Sequence, residues 1–147
     1  MIKKHPHAHL LSIISLVLLA FLTHNTMFSR SVAQTPKWMA PKEADDLKNP
    51  LVANSHILAA GKALYTANCG PCHGDKGRGD GPAAAGLNPK PADHTSAFVQ
   101  NESDGSLFWK ITEGRTPMPS YKKTFTDEQR WEIVTYIRSL AKPGKKK

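Results

Sequence analysis

The sequence predicts an all-α domain of short helices and long ordered loops, and three observations carry that reading. Three stretches repeat apolar residues at helical spacing, no run alternates with period two for long enough to make a sheet, and Gly70 to Pro91 is too crowded with Gly and Pro for a long regular element. The 147 residues leave room for one small domain with a targeting segment and a tail, which excludes a large multidomain enzyme. Hydrophobic residues make up 39% and aromatics 7%, beside 11 Pro and 10 Gly. So lean a chain struggles to close a dry core from side chains alone and leans on a cofactor.

Lys3 and Lys4 precede the uncharged run Leu10 to Leu22, and Ser31-Val32-Ala33 offers small residues before Gln34, so residues 1–33 read as a signal peptide. The competing reading is an uncleaved anchor over Leu10 to Phe28. That stretch is interrupted by Thr23-His24-Asn25-Thr26 and falls short of the ~20 apolar residues of a span. Under either reading the lysines stay inside and the domain is exported, to the periplasm or another extracytoplasmic compartment. Losing the leader removes Lys3, Lys4 and Arg30 and no acid, so 20 basic residues become 17 against 12 acids and the charge falls from +8 to +5.

Residues 34–54 read as an extended N-terminal arm, with three prolines and no sustained period; Trp38 and Met39 should pack somewhere. The domain proper covers 55–141, and 142–147 form a basic tail. Ser55 is the expected cap of a first helix through Ile57, Leu58, Gly61, Leu64 and Tyr65 that runs into Cys69. Gly70 to Pro91 needs an object to wrap around. Ser103 caps a second helix through Leu107, Phe108 and Ile111, ended by Gly114. The last helix is the clearest: Thr126-Asp127-Glu128-Gln129 is a capping box, Trp131, Val134, Ile137 and Ala141 form an apolar stripe broadened by Ile133, Tyr136 and Leu140, and Pro143-Gly144 stops it.

Cys69-Gly70-Pro71-Cys72-His73 is CxxCH. Two thiols at this spacing reach the two vinyl groups along one haem edge and form thioethers, while the next residue offers an imidazole to the iron. A thioredoxin-like dithiol leaves His73 as coincidence and wants a strand-helix context. Half a zinc site lacks a second cysteine pair, and a disulfide closing so short a loop contributes little. The reading is one haem c attached through Cys69 and Cys72, with His73 on the iron.

From Ser55 to Leu140 the chain resembles the class I c-type cytochromes, the small single-haem proteins of bacterial respiratory chains. Their motif often continues as CHGxxGxGDGPAA, and here it stands as CHGDKGRGDGPAA. The resemblance implies a small cytochrome c fold around one covalently attached haem, and a sixth ligand from a downstream methionine followed closely by proline. Met118, in Gly114-Arg115-Thr116-Pro117-Met118-Pro119, matches. A mere gap-filling methionine has no need of two flanking prolines. His94 and His56 stay open as alternatives, being otherwise surface or turn histidines, and Met39 lies in the wrong arm.

The resemblance also implies that the free ring N–H of His73 meets a backbone carbonyl of a proline-containing loop, for which Pro82 and Pro89 both qualify. It implies a close crossing of Gly61 and Tyr65 with Trp131 or Tyr136. Trp109, Arg115 and Tyr121 are candidates for a haem propionate, and Leu64, Leu87, Phe108, Ile111 and Ile137 for packing on the haem.

An iron held by His73 and Met118 has no open position, which suits an electron carrier and not an enzyme. Two alternatives keep the haem: a fixed cytochrome subunit of a membrane oxidoreductase complex, docked by the arm, and a haem-based ligand sensor with a labile Met118. The expected partners are redox proteins, an oxidase, reductase or dehydrogenase. Lys76, Arg78, Lys122 and Lys123 are expected around the haem edge, where they would steer an acidic partner. Export argues against reading Lys142 and Lys145 to Lys147 as nucleic-acid binding. Membrane contact arises only through a retained leader or a membrane complex.

Overall fold

A computed structural model describes residues 37–141, so the leader, the basic tail and the Pro143-Gly144 stop lie outside the described residues. Within them there are five α-helices, two short 3₁₀ turns and no strand. No helix among the described residues is long and apolar enough to cross a membrane.

The arm is not extended throughout. Lys42–Asp46 forms a 3₁₀ turn that buries Ala44. Asp45 Oδ1 accepts hydrogen bonds from Ser103 Oγ at 2.5 Å and Ser106 Oγ at 2.8 Å, which fastens the turn to the start of a later helix. Met39 is 61% exposed, contrary to the expectation that it packs, whereas Trp38 is half-buried.

Helix α1 spans Ser55–Asn68. Its cap is Asn54 and not Ser55: the Asn54 side chain accepts the Ile57 N–H at 3.0 Å, from an extended backbone that Ser55, already helical, does not have. Helix α2, Gly70–His73, follows with only Cys69 between. The loop after it folds back on the CxxCH turn, whose carbonyls serve as acceptors. Gly79 N–H donates to His73 O (2.8 Å), Gly81 N–H to Cys72 O (3.1 Å) and Ala83 N–H to Pro71 O (2.9 Å). A second 3₁₀ turn, Ala84–Gly86, breaks the loop. Helix α3, Ala97–Gln100, is a single turn capped by Ser96 that the sequence pattern does not announce.

Helix α4, Asp104–Glu113, has the expected Ser103 cap, which accepts from Ser106 N–H, and ends at Gly114 with φ +67°. Helix α5, Asp127–Ser139, carries the full capping box between Thr126 and Gln129. Every residue from Arg130 to Ile137 is buried, because α1 packs on one side of α5 and α4 on another. Buried Arg130 is accommodated by Asp127, by Thr112 Oγ1 at 2.9 Å and by the Phe108 ring 4.8 Å from its Cζ.

The α1–α5 crossing is the expected one, with Tyr136 as the partner. The Tyr65 and Tyr136 rings are 5.1 Å apart, while Trp131 stacks on Phe108 of α4 instead. A Cβ at Gly61 would sit 2.1 Å from the Glu132 carbonyl oxygen. Backbone cannot step aside as a side chain can, so Gly61→Ala should destabilise the holoprotein at or above the upper end of the ~1–3 kcal/mol usual for overpacking. Denaturant unfolding followed by circular dichroism checks this, and a loss below about 1 kcal/mol would mean that the crossing yields.

Candidate functional site

The end of α1 and the whole of α2 place Cys69, Cys72 and His73 within one turn, closed by His73 N–H donating to Cys69 O at 2.8 Å. All three line a cavity of about 340 Å³ whose apolar wall includes Leu87, Val99, Leu107, Ile111, Ile133 and Ile137. Of the residues expected to pack there, Leu87, Ile111 and Ile137 do; Leu64 and Phe108 pack against the protein core instead.

His73 Nδ1 donates to the carbonyl of Ala92 at 2.9 Å. That carbonyl follows Pro91, so neither Pro82 nor Pro89 supplies it. In a neutral imidazole this bond fixes the tautomer and leaves the lone pair on Nε2. Burial holds His73 below the ordinary histidine range, partly offset by the Ala92 bond, and so favours the neutral ring. Both thiols are free. Burial, and to a lesser degree Cys72, pushes Cys69 up to about 12. A redox dithiol needs the opposite, a depressed thiol.

Met118 lines the same cavity from the loop after α4. Its backbone is closed into a tight turn with Arg115: Arg115 N–H donates to Met118 O at 3.0 Å and Met118 N–H to Arg115 O at 2.8 Å. Positive φ at Gly114 lets the chain reverse there, and a Cβ would collide with Pro119 and Ser120 backbone at about 2.5 Å. Ser120 Oγ donates to Thr112 O at 2.6 Å, and Tyr121 N–H to Ile111 O at 3.1 Å. Tyr121 Oη donates to Asn68 O at 3.0 Å, tying the Met118 loop to the residue before Cys69.

His56 is exposed and does not line the cavity. His94 does line it, and it is no ordinary surface histidine: its ring is stacked on that of His73. Burial, and secondarily His73, keep it well below the usual range. Trp38, which sequence reasoning left without a place, also lines the cavity. It has the Arg115 Cζ 5.0 Å and the Lys110 Nζ 5.6 Å from its ring, and Trp109 behind it at 6.2 Å. Trp109 itself is not part of the wall, whereas Arg115 and Tyr121 are. Lys76, Arg78, Lys122 and Lys123 do not line the cavity; Lys90, Lys110 and Arg115 do. Lys90 is engaged by the Ala84 and Ala85 carbonyls and Lys110 by Glu102.

The donor set suits a covalently held haem: two free thiols at CxxCH spacing, an imidazole with one nitrogen committed elsewhere and a thioether, all bordering one largely apolar cavity. Fold and site together define a single-haem class I cytochrome c domain. The family described as cytochrome c oxidase, cbb3-type, subunit III matches residues 57–137, more than half of the chain, and the chain belongs to it. This family of electron-carrying cytochromes implies covalent haem c. The chain is similar to cytochrome c6 of Synechocystis sp., 27% identical over 92 residues that cover 59% of this chain and 68% of that one. It is 28% identical over 95 residues to the cbb3-type cytochrome c oxidase subunit CcoP of Azospirillum sp., covering 63% of this chain and 31% of that one. Among solved structures, a chain of the Kuenenia stuttgartiensis reducing HAO-like protein complex Kustc0457/Kustc0458 matches with a TM-score of 0.57 and 32% identity, over 75% of this chain and 53% of that one.

Proposed function

We propose that this protein is an exported one-electron carrier with one haem c bound through Cys69 and Cys72 and with His73 and Met118 as axial ligands, working in a periplasmic or other extracytoplasmic respiratory pathway. The domain limits belong to the proposal: a signal peptide over 1–33, an arm over 34–54, the cytochrome domain over 55–141 and a basic tail over 142–147. The observation that carries it is the convergence of both thiols, the His73 ring and Met118 on one cavity.

When bound, haem supplies a one-electron iron couple there. The chain's task is to hold the site still. Ala92 fixes the His73 ring, the Arg115–Met118 turn fixes the thioether, and neither has to move when the charge changes. The apolar wall keeps water away, which together with a thioether ligand favours the reduced state. Its redox partners are proteins, an oxidase, reductase or dehydrogenase.

Optical spectra of the purified exported protein test this reading. A low-spin c-type spectrum is expected, with the weak sulfur-to-iron charge-transfer band when oxidised and no carbon monoxide binding when reduced. Carbon monoxide binding would support the ligand-sensor alternative. A second reading, a fixed subunit of a membrane oxidoreductase, is favoured by the family's description as an oxidase subunit and by the likeness to a chain from a protein complex. Stable copurification with such a complex would select it over the diffusing carrier.

A further inference from the structure

One hydrogen bond sets where His73 Nδ1 points, but it leaves the imidazole able to turn about the Nδ1···O line. A second constraint faces that ring. His94 lies against it nearly parallel, with centroids 4.1 Å apart and planes 17° from each other. A flat surface at stacking distance resists the out-of-plane rotation that a single hydrogen bond allows.

His94 is itself held from three directions. Its Nδ1 is 2.9 Å from Tyr65 Oη, its backbone N–H donates to Gly77 O at 2.6 Å, and its carbonyl accepts from Gln100 Nε2 at 2.6 Å. Tyr65 is 0% exposed and sits at the α1–α5 crossing with its ring against Tyr136. The chain of contacts therefore runs from the buried α1–α5 crossing to the His73 ring.

We infer that His94, backed by Tyr65, is a positioning residue that sets the plane of the His73 imidazole and so the orientation in which this ligand meets the iron. The inference rests on the proposed ligation by His73. Second-layer contacts of this kind tune a metal centre through its ligand.

A purely structural His94 would do no more than satisfy the buried Tyr65 hydroxyl. The two roles separate in a double variant. His94→Leu orphans that hydroxyl and should cost stability, and adding Tyr65→Phe removes the orphan and should restore much of it. A positioning role predicts that the iron does not recover with the stability. In oxidised holoprotein, the spread of the paramagnetically shifted haem-methyl proton resonances depends on the plane of the axial imidazole. That spread and the midpoint potential should be shifted in His94→Leu and stay shifted in the double variant. Tyr65→Phe alone should shift both less, in the same sense.

A wild-type spread and potential in the double variant would overturn the inference while leaving the ligation by His73 intact. If the double variant yields no holoprotein, Tyr65→Phe decides in the same way, and an unchanged spread overturns it. A wild-type protein without a low-spin c-type spectrum would overturn the ligation and this inference together.

Discussion

Exported alongside a haem-attachment system, the Cys69→Ala, Cys72→Ala variant should not accumulate as a folded protein. The reason lies in the core. Leu107, Ile111, Ile133 and Ile137 are all at least nine-tenths buried, and each also borders a cavity of about 340 Å³. At ~24 cal/mol per Å³ of unfilled core, such a volume costs at most about 8 kcal/mol, which is the size of a whole domain's net stability of ~5–15 kcal/mol. Without thioethers, haem held by the axial groups alone is free to leave, and loss of haem exposes that cost. Either single variant keeps one thioether and should fall between, with less holoprotein and a lower melting temperature. Haem staining of the denatured protein and thermal melting by circular dichroism provide the measurement. A haem-free double variant that melts cooperatively as a monomer would show that side chains alone suffice for the fold.

What could be read along the chain divides by the range of the interactions. Helix α5 was legible because its determinants are local: Thr126 and Gln129 satisfy each other's amides within one turn, and the apolar stripe has one period. CxxCH and the reversal at Gly114 are equally local. The cap of α1 was misplaced by one residue because Asn54 and Ser55 are both good caps, and only the backbone shows which of them lies outside the helix. The carbonyl that meets His73 comes from Ala92, 19 residues away, and its place depends on how the glycine-rich loop closes on the CxxCH carbonyls. Prolines marked that loop but did not determine which of its carbonyls turns inward. For the same reason, the place of Trp38 on the cavity wall and that of His94 against the His73 ring are not legible. Nothing in their neighbours along the chain indicates a cavity wall, and both are brought to it by tertiary contacts, through cations beside one ring and through Tyr65 beside the other.

Changing Met118 to Ala should abolish the sulfur-to-iron charge-transfer band of the oxidised protein, lower the midpoint potential and let the reduced protein bind carbon monoxide. The thioether favours the reduced iron, so losing it should move the potential down by an appreciable part of the ~0.8 V over which axial ligands tune haem proteins. The fold should survive, because the turn that presents Met118 does not depend on its side chain. Arg115 and Met118 exchange backbone hydrogen bonds, Ser120 holds Thr112, and Tyr121 holds Asn68, all of which alanine leaves in place. Met39→Ala is the matched control: Met39 is 61% exposed and outside the cavity wall, and its loss should change none of the three signals. His94 lies against the His73 ring and offers no sulfur, so His94→Leu should retain the band. Should Met118→Ala keep both the band and the wild-type potential, the sixth ligand is another residue. Loss of the band in Met39→Ala would then identify the arm as its source.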